Sequence, residues 1–161
     1  MLSLQNNIAS ALRPNRKTVV VTLGNSFRGD DGVGPFIAKR IKPRNALVVI
    51  DASAAFESVA QQVIDCKPEK VVIIDAADFK GEPGEIKELS ISEISRCCCV
   101  LSTHRLPLNA VLSVIKEDTG AEIRIIGIQI SSMSLSEKLS PEVEKSALEI
   151  VRYYCSETTK K

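Results

Sequence analysis

Thr18-Val19-Val20-Val21-Thr22-Leu23 runs directly into Gly24-Asn25-Ser26-Phe27-Arg28-Gly29-Asp30-Asp31-Gly32-Val33-Gly34. A short, continuous apolar run closed by glycine reads as a strand buried on both faces. Val33–Ile41 carries Phe36, Ile37 and Ile41 at helical spacing and reads as the helix that follows. The alternation then repeats. Leu47–Ile50, Val71–Ile74 and Ile123–Ile130 read as further strands. Ala54–Ile64, Pro107–Asp118 and Pro141–Tyr154 read as helices, and Leu2–Leu12 as a short extra one. Ser53 and Ser140 are candidate N-caps, Pro107 suits a first turn, and Gly120 suits a helix end. Glu85–Leu89, after the turn Gly81-Glu82-Pro83-Gly84, is a weaker strand that breaks the parallel order. Strand-helix-strand alternation predicts a single α/β domain over residues 1–161 with a mostly parallel sheet.

The rest of the composition fits one domain and narrows the function. The chain has 161 residues, 44% hydrophobic and 25% charged, a globular balance. Lysine plus arginine is 21 and aspartate plus glutamate is 20, for a formal net charge of +1. That gives no electrostatic footprint for nucleic acid or an anionic membrane. Trp is absent and aromatic residues are few, which argues against base-stacking platforms. No apolar run has membrane-spanning length, and Met1–Lys17 lacks the order of a signal peptide.

Aspartates mark the predicted carboxyl ends of three strands. Asp51 follows Ile50, Asp75 follows Ile74, and Asp30 and Asp31 lie in the loop after the first strand. Ligands of open α/β sheets bind at these ends, so the three carboxylate positions are expected to converge there. Capping is the competing role for Asp30 or Asp31, but both cannot fill one cap. A carboxylate after four buried apolar residues, as at Asp75, is costly unless it is paired, capped or bound to a cation. The loop lacks G-x-G-x-x-G and the Gly-Lys-Ser/Thr of a P-loop, and paired acids at a helix start repel phosphate. A cation or an amine is the better guest. His104 is the single histidine, in Ser102-Thr103-His104-Arg105-Leu106-Pro107-Leu108-Asn109. If its loop folds over the aspartates, two carboxylates and one imidazole make a partial shell for a first-row metal with open positions. A Ser102–His104 nucleophilic pair is disfavoured, since i and i+2 side chains rarely aim at each other.

Five cysteines include the run Cys97-Cys98-Cys99, with Cys66 and Cys155 alone. No C-x-x-C pair exists, so a zinc knuckle or thioredoxin-like motif does not fit. Adjacent cysteines diverge and read as small apolar filler rather than metal ligands. The pattern suits a reducing cytoplasm.

With these residues in view, the chain resembles the [NiFe]-hydrogenase maturation protease family over roughly residues 17–154. The resemblance is carried by Leu23-Gly24-Asn25-Ser26 with Gly29-Asp30-Asp31-Gly32-Val33-Gly34-Pro35, by Ile74-Asp75-Ala76-Ala77-Asp78 and by Glu82-Pro83-Gly84-Glu85-Ile86. Thr103-His104-Arg105-Leu106-Pro107-Leu108-Asn109 and Ile126-Gly127-Ile128-Gln129 extend it. The last two segments look most like the branch serving energy-converting, hydrogen-evolving hydrogenases. The resemblance implies a three-layer α/β sandwich: a twisted, mostly parallel five-stranded mixed sheet with helices on both faces. It implies an endopeptidase that removes the C-terminal extension of a hydrogenase large-subunit precursor after nickel insertion. It places Asp31, Asp75 and His104 as metal-contacting and catalytic positions, with the nickel supplied by the precursor. Asp51-Ala52-Ser53-Ala54 departs from the Asp-Gly-Gly of many members, and Ile130 stands where proline often follows Gly-Ile-Gln. The roles of Asp30, Asp51 and Asp78 stay open, as do the mechanism class and the oligomeric state. Metal-assisted attack by water is the favoured chemistry, with an aspartate as base the alternative. A non-cleaving chaperone for the nickel-loaded precursor and an unrelated small metallohydrolase are the competing functions.

Overall fold

The computed structural model describes residues 4–14, 16–53, 56–97 and 108–156. Among them, five strands form one sheet in the order β2-β1-β3-β5-β4. They are β1 (Thr18–Leu23), β2 (Leu47–Ser53), β3 (Lys70–Ala77), β4 (Ile86–Leu89) and β5 (Glu122–Gln129). β1, β2, β3 and β5 run parallel, and β4 lies antiparallel on the edge against β5. The described helices are α1 (Asn6–Leu12), α2 (Val33–Ala38), α3 (Phe56–Asp65), α4 (Ile91–Cys97), α5 (Leu108–Thr119) and α6 (Pro141–Ser156). A single 3-10 turn, Gly29–Gly32, precedes α2. No helix among the described residues is long and apolar enough to cross a membrane.

The continuous apolar runs follow from helices covering both faces. Val19, Val21, Val71 and Ile73 pack with Phe56 and Val63 of α3, Ile94 of α4, and Leu112 and Ile115 of α5. Val20, Val72 and Ile74, alternating with them, pack with Ile8 of α1, Val33 and Ile37 of α2, and Val143 and Ile150 of α6. The expected α/β class is therefore met by a five-stranded mixed sheet between two helical layers.

Several boundaries differ from the sequence reading, each for a physical reason. β3 continues two residues past Asp75, because Ala76 and Ala77 pair with Ile128 and Gln129 of β5. Asp75 is thus inside the strand rather than at its last position. Ser53 is the last residue of β2, with φ +46°, while α3 begins at Phe56, so Ser53 does not adjoin that helix. α4 escaped prediction because Ile94 is the one apolar residue fully buried among the side chains described in it, while Ile91 is exposed. Its start carries a capping box: Ser90 Oγ accepts from Glu93 N (3.2 Å), and Ser90 N donates to Glu93 Oε2 (2.8 Å). That bond from the Ser90 backbone, with Lys87 and the Ser90 hydroxyl adding to it, pulls the Glu93 pKa down to about 2. Gly120 ends α5 as expected, with φ +68° and its N–H on Lys116 O. Lys70, buried at the start of β3, donates to Ser10 O and Arg13 O, tying the end of α1 to the sheet.

Gly34 shows why the glycines of the first loop matter. A Cβ there would sit well inside contact distance of the Leu23 carbonyl oxygen, so the first turn of α2 lies directly on the end of β1. Gly34→Ala must push α2 off the sheet, and we expect it to cost about 3 kcal/mol or more. Urea unfolding measures this; a loss below 1 kcal/mol would show that α2 can lift freely.

Candidate active site at the β1–β3 crevice

β1 leads through α2 to β2 on one side of the sheet, while the chain leaving β3 returns through α4 and α5 to β5 on the other. α2 and α5 cover opposite faces. The carboxyl ends of β1 and β3 therefore form the topological switch point, where open α/β sheets bind ligands. The last β1–β3 pair is Thr22 with Ile74, so β1 turns away beside Asp75. The 3-10 turn holding Asp30 and Asp31 contacts β3.

Asp75 is fully buried and lies opposite Gly127 of β5, which presents no side chain toward it. Strand alternation puts Asp75 on the same face as Ile73 and Ala77, the face covered by α3 and α5. Asp31 is 1% exposed, and its Oδ1 has no hydrogen-bond donor among the described residues. Burial pushes its pKa above the ordinary carboxylate range; the Arg28 guanidinium and the Asn25 N–H pull the other way. Asn25 N also donates to Asp31 O (3.1 Å), closing the loop back on the end of β1. That closure needs Gly24: its φ is +131°, and a Cβ there would collide with Asp31 O.

Asp30 and Asp31 are adjacent and equally hidden, yet their surroundings differ in kind. Asp30 Oδ2 accepts from Ser131 N and Ser132 N (both 2.8 Å) and from Ser140 Oγ (2.9 Å). Its Oδ1 accepts from Ser140 N (2.6 Å). Asp30 N donates to Ser132 O (3.0 Å), and Gly29 N to Ser136 O (2.7 Å). Asp30 is therefore a clasp between the β1–α2 loop and the β5–α6 loop, placed at the N-terminus of α6 where negative charge is favoured. Ser140, the expected N-cap of α6, spends its hydroxyl on Asp30. Asp31 is the carboxylate left for other chemistry. Sequence reasoning could not make this choice: the donors are 101 to 110 residues away, and no local pattern ties serines to an aspartate.

The other aspartates take local roles. Asp51 is exposed, one strand farther out, and its Oδ1 accepts from Ser53 N (3.0 Å), Ser53 Oγ (3.1 Å) and Thr22 Oγ1 (3.5 Å). It braces its own strand end, which removes it from the expected convergence and leaves Asp31 and Asp75 as the candidates. Asp78 pairs with Lys80 and accepts from Gln129 Nε2, bonds that hold its carboxyl below the ordinary range. Gln129 also accepts from Phe79 N and Gly81 N and donates to Ile130 O. The Gly127-Ile128-Gln129 segment thus anchors the turn after β3.

His104, in the connection between α4 and α5, lies outside the described residues, as do Cys98 and Cys99; Cys97 ends α4. No three His, Cys, Asp or Glu side chains among the described residues gather into a metal-holding group. Chemically, the carboxyl ends of these strands offer a buried carboxylate oxygen at Asp31 with no donor among the described residues, and a buried carboxylate at Asp75. Such oxygens bind a proton or a cation.

Comparison with known proteins identifies relatives of the chain and of its fold. A family model described as hydrogenase maturation protease matches residues 33–157. The hydrogenase 3 maturation protease of Escherichia coli K12 is 36% identical over 113 residues, 69% of this chain and 71% of that protein. A putative hydrogenase maturation protease of Methanocaldococcus jannaschii is 29% identical over 159 residues, 92% of each chain. Among solved structures, a [NiFe] hydrogenase maturation protease from Thermococcus kodakarensis superposes with a TM-score of 0.80 at 28% identity. That match covers 96% of this chain and 100% of the other.

Proposed function

The chain belongs to the hydrogenase maturation protease family, and we propose from that premise that it cuts the C-terminal extension from a [NiFe]-hydrogenase large-subunit precursor after nickel insertion. It is a hydrolase of the endopeptidase kind. The observation that carries the site assignment is Asp31 Oδ1, buried beside β3 with no donor, next to a carboxylate that has four.

Asp31 and Asp75, with His104 as the third contact, receive nickel that arrives with the precursor. Two carboxylates and one imidazole, without sulfur, hold Ni²⁺ modestly. The precursor's thiolates keep the metal, and this chain completes its shell only when the proteins meet. Burial raises the Asp31 pKa and so opposes a bare charge there while the crevice is free of a cation; a bound ion would compensate that charge. Nickel supplies a Lewis acid near the scissile carbonyl, and an unligated oxygen of Asp31 or Asp75 is placed to accept a proton from the attacking water. Metal contact is then a specificity device: a precursor without nickel offers no bridging ion. Cys66 and Cys155 form no disulfide among the described residues, which suits a reducing cytoplasm.

The test pairs a nickel-loaded precursor with a metal-free one at equal protease concentration, read by mass spectrometry. Tail loss is expected from the loaded precursor alone. Equal rates would remove nickel as the recognition element. Binding to the loaded precursor with no loss of mass would make the chain a chaperone instead.

A further inference from the structure

We propose that the groove between the Asp31 loop and α2 is where this chain docks its precursor, through an apolar side chain of that precursor flanked by a carboxylate. The inference rests on the maturation-protease reading above and names the surface that selects the substrate.

Phe27 and Leu135 are 61% and 90% exposed, two of only four large hydrophobics standing out from the described residues. Both project from loops stitched together beside Asp31: Ser136 N donates to Phe27 O (3.1 Å), and Gly29 N to Ser136 O (2.7 Å). Asp30 clamps the same two loops from beneath. These apolar side chains are therefore held out on a braced platform, which is how a contact surface is built.

Behind Phe27 lies a groove of about 440 Å³ with Phe36, Leu139, Lys39, Arg40 and Glu137 along it, reaching the site loop at Gly32, next to Asp31. The Arg40 guanidinium lies 3.5 Å from the Phe36 ring centroid, and its Nη1 donates to Phe36 O (2.9 Å). A stacked, hydrogen-bonded guanidinium is already ordered, so meeting a carboxylate costs it little further entropy.

Charge selects the occupant. Lys39 and Arg40 outnumber Glu137, so the complement is acidic beside its apolar anchor. A second copy of this chain packing groove to groove would set these cations against one another, which disfavours self-association through this face.

The test compares wild type, Phe27→Ser, Lys39→Glu and, as a control on an exposed apolar residue of α5, Val114→Ser, each verified as folded by circular dichroism. Binding to the nickel-loaded precursor is measured by calorimetry, and cleavage by steady-state kinetics. Phe27→Ser and Lys39→Glu should each weaken Kd and raise KM about tenfold with kcat within twofold, while Val114→Ser changes neither. Added salt should weaken wild type more than Lys39→Glu. Unchanged Kd in both groove variants overturns the docking proposal, whether or not the precursor is cut. A wild type that dimerises in solution and is made monomeric by Phe27→Ser overturns it too, assigning the face to a second copy. Binding that depends on the groove without any cleavage would instead count against the protease reading and leave the docking surface standing.

Discussion

Asp31→Asn is expected to abolish tail removal while making the isolated protein more stable. In the proposed mechanism the carboxylate has two roles, as a contact for the precursor's metal and as a proton acceptor. Removing a positioned general base alone costs about 10²–10⁴-fold in rate. Stability moves the other way, because burial raises the Asp31 pKa above its ordinary value and its Oδ1 meets no donor. A carboxyl with a raised folded-state pKa leaves stability intact below the unfolded pKa and weakens it as pH rises through the folded value. Asparagine is isosteric and never carries that charge. The two proteins should therefore melt together in acid, and the variant should gain as pH rises from the ordinary carboxylate range through the raised value. Above that the gain should level off, at about 0.5–2 kcal/mol or a few degrees in Tm. Melting curves of both proteins, metal-free, across that range check the sign. A variant less stable than wild type at neutral pH would mean that the Asp31 carboxylate is a structural partner.

Which parts of this were legible in the sequence follows from the range of the interactions that decide them. Thr18–Leu23 reads correctly as a strand because a run of apolar residues buried on both faces is a local signal. The site aspartates could be located because strand ends precede glycine-rich loops, and that too is local. The choice between Asp30 and Asp31 was hidden because it depends on Ser131, Ser132 and Ser140, brought back by the β5–α6 connection. Asp51 was misgrouped for a related reason. Like Asp75 it stands two residues before the end of its strand, but β1 lies between their strands, and its carboxylate is engaged by Ser53 and Thr22. α4 was overlooked through its single buried anchor, although Ser90-Ile91-Ser92-Glu93 carried a readable start signal. The resemblance to a family supplied what periodicity could not, the choice of Asp31 as the metal-facing residue. The hydrogen bonds assign Asp30 a bracing role and leave Asp31 as the candidate.

Asp30→Ala, one position away from Asp31, should act on stability with the opposite sign. It removes the acceptor of three backbone N–H groups and one hydroxyl, all part-buried, and nothing nearby replaces it. Bonds to a charged acceptor contribute about 1.5–3 kcal/mol each, and a buried donor left alone costs about 1–3 kcal/mol. These terms are not additive, because the β5–α6 loop can lift and let water reach Ser131 and Ser132. A net loss of about 3–5 kcal/mol is the expected scale, which for a chain of this size lowers Tm by about 6–20 °C. Ser140→Ala should cost only about 1 kcal/mol, since it deletes one hydroxyl donor and leaves the Ser140 N–H in place. Urea unfolding of the three proteins gives the comparison. The pair of neighbouring aspartates makes the assignment testable without the precursor: a carboxylate that binds the fold together destabilises when removed, and one held for a cation does not. Should Asp30→Ala prove neutral while Asp31→Asn unfolds the protein, the two roles would have to be exchanged.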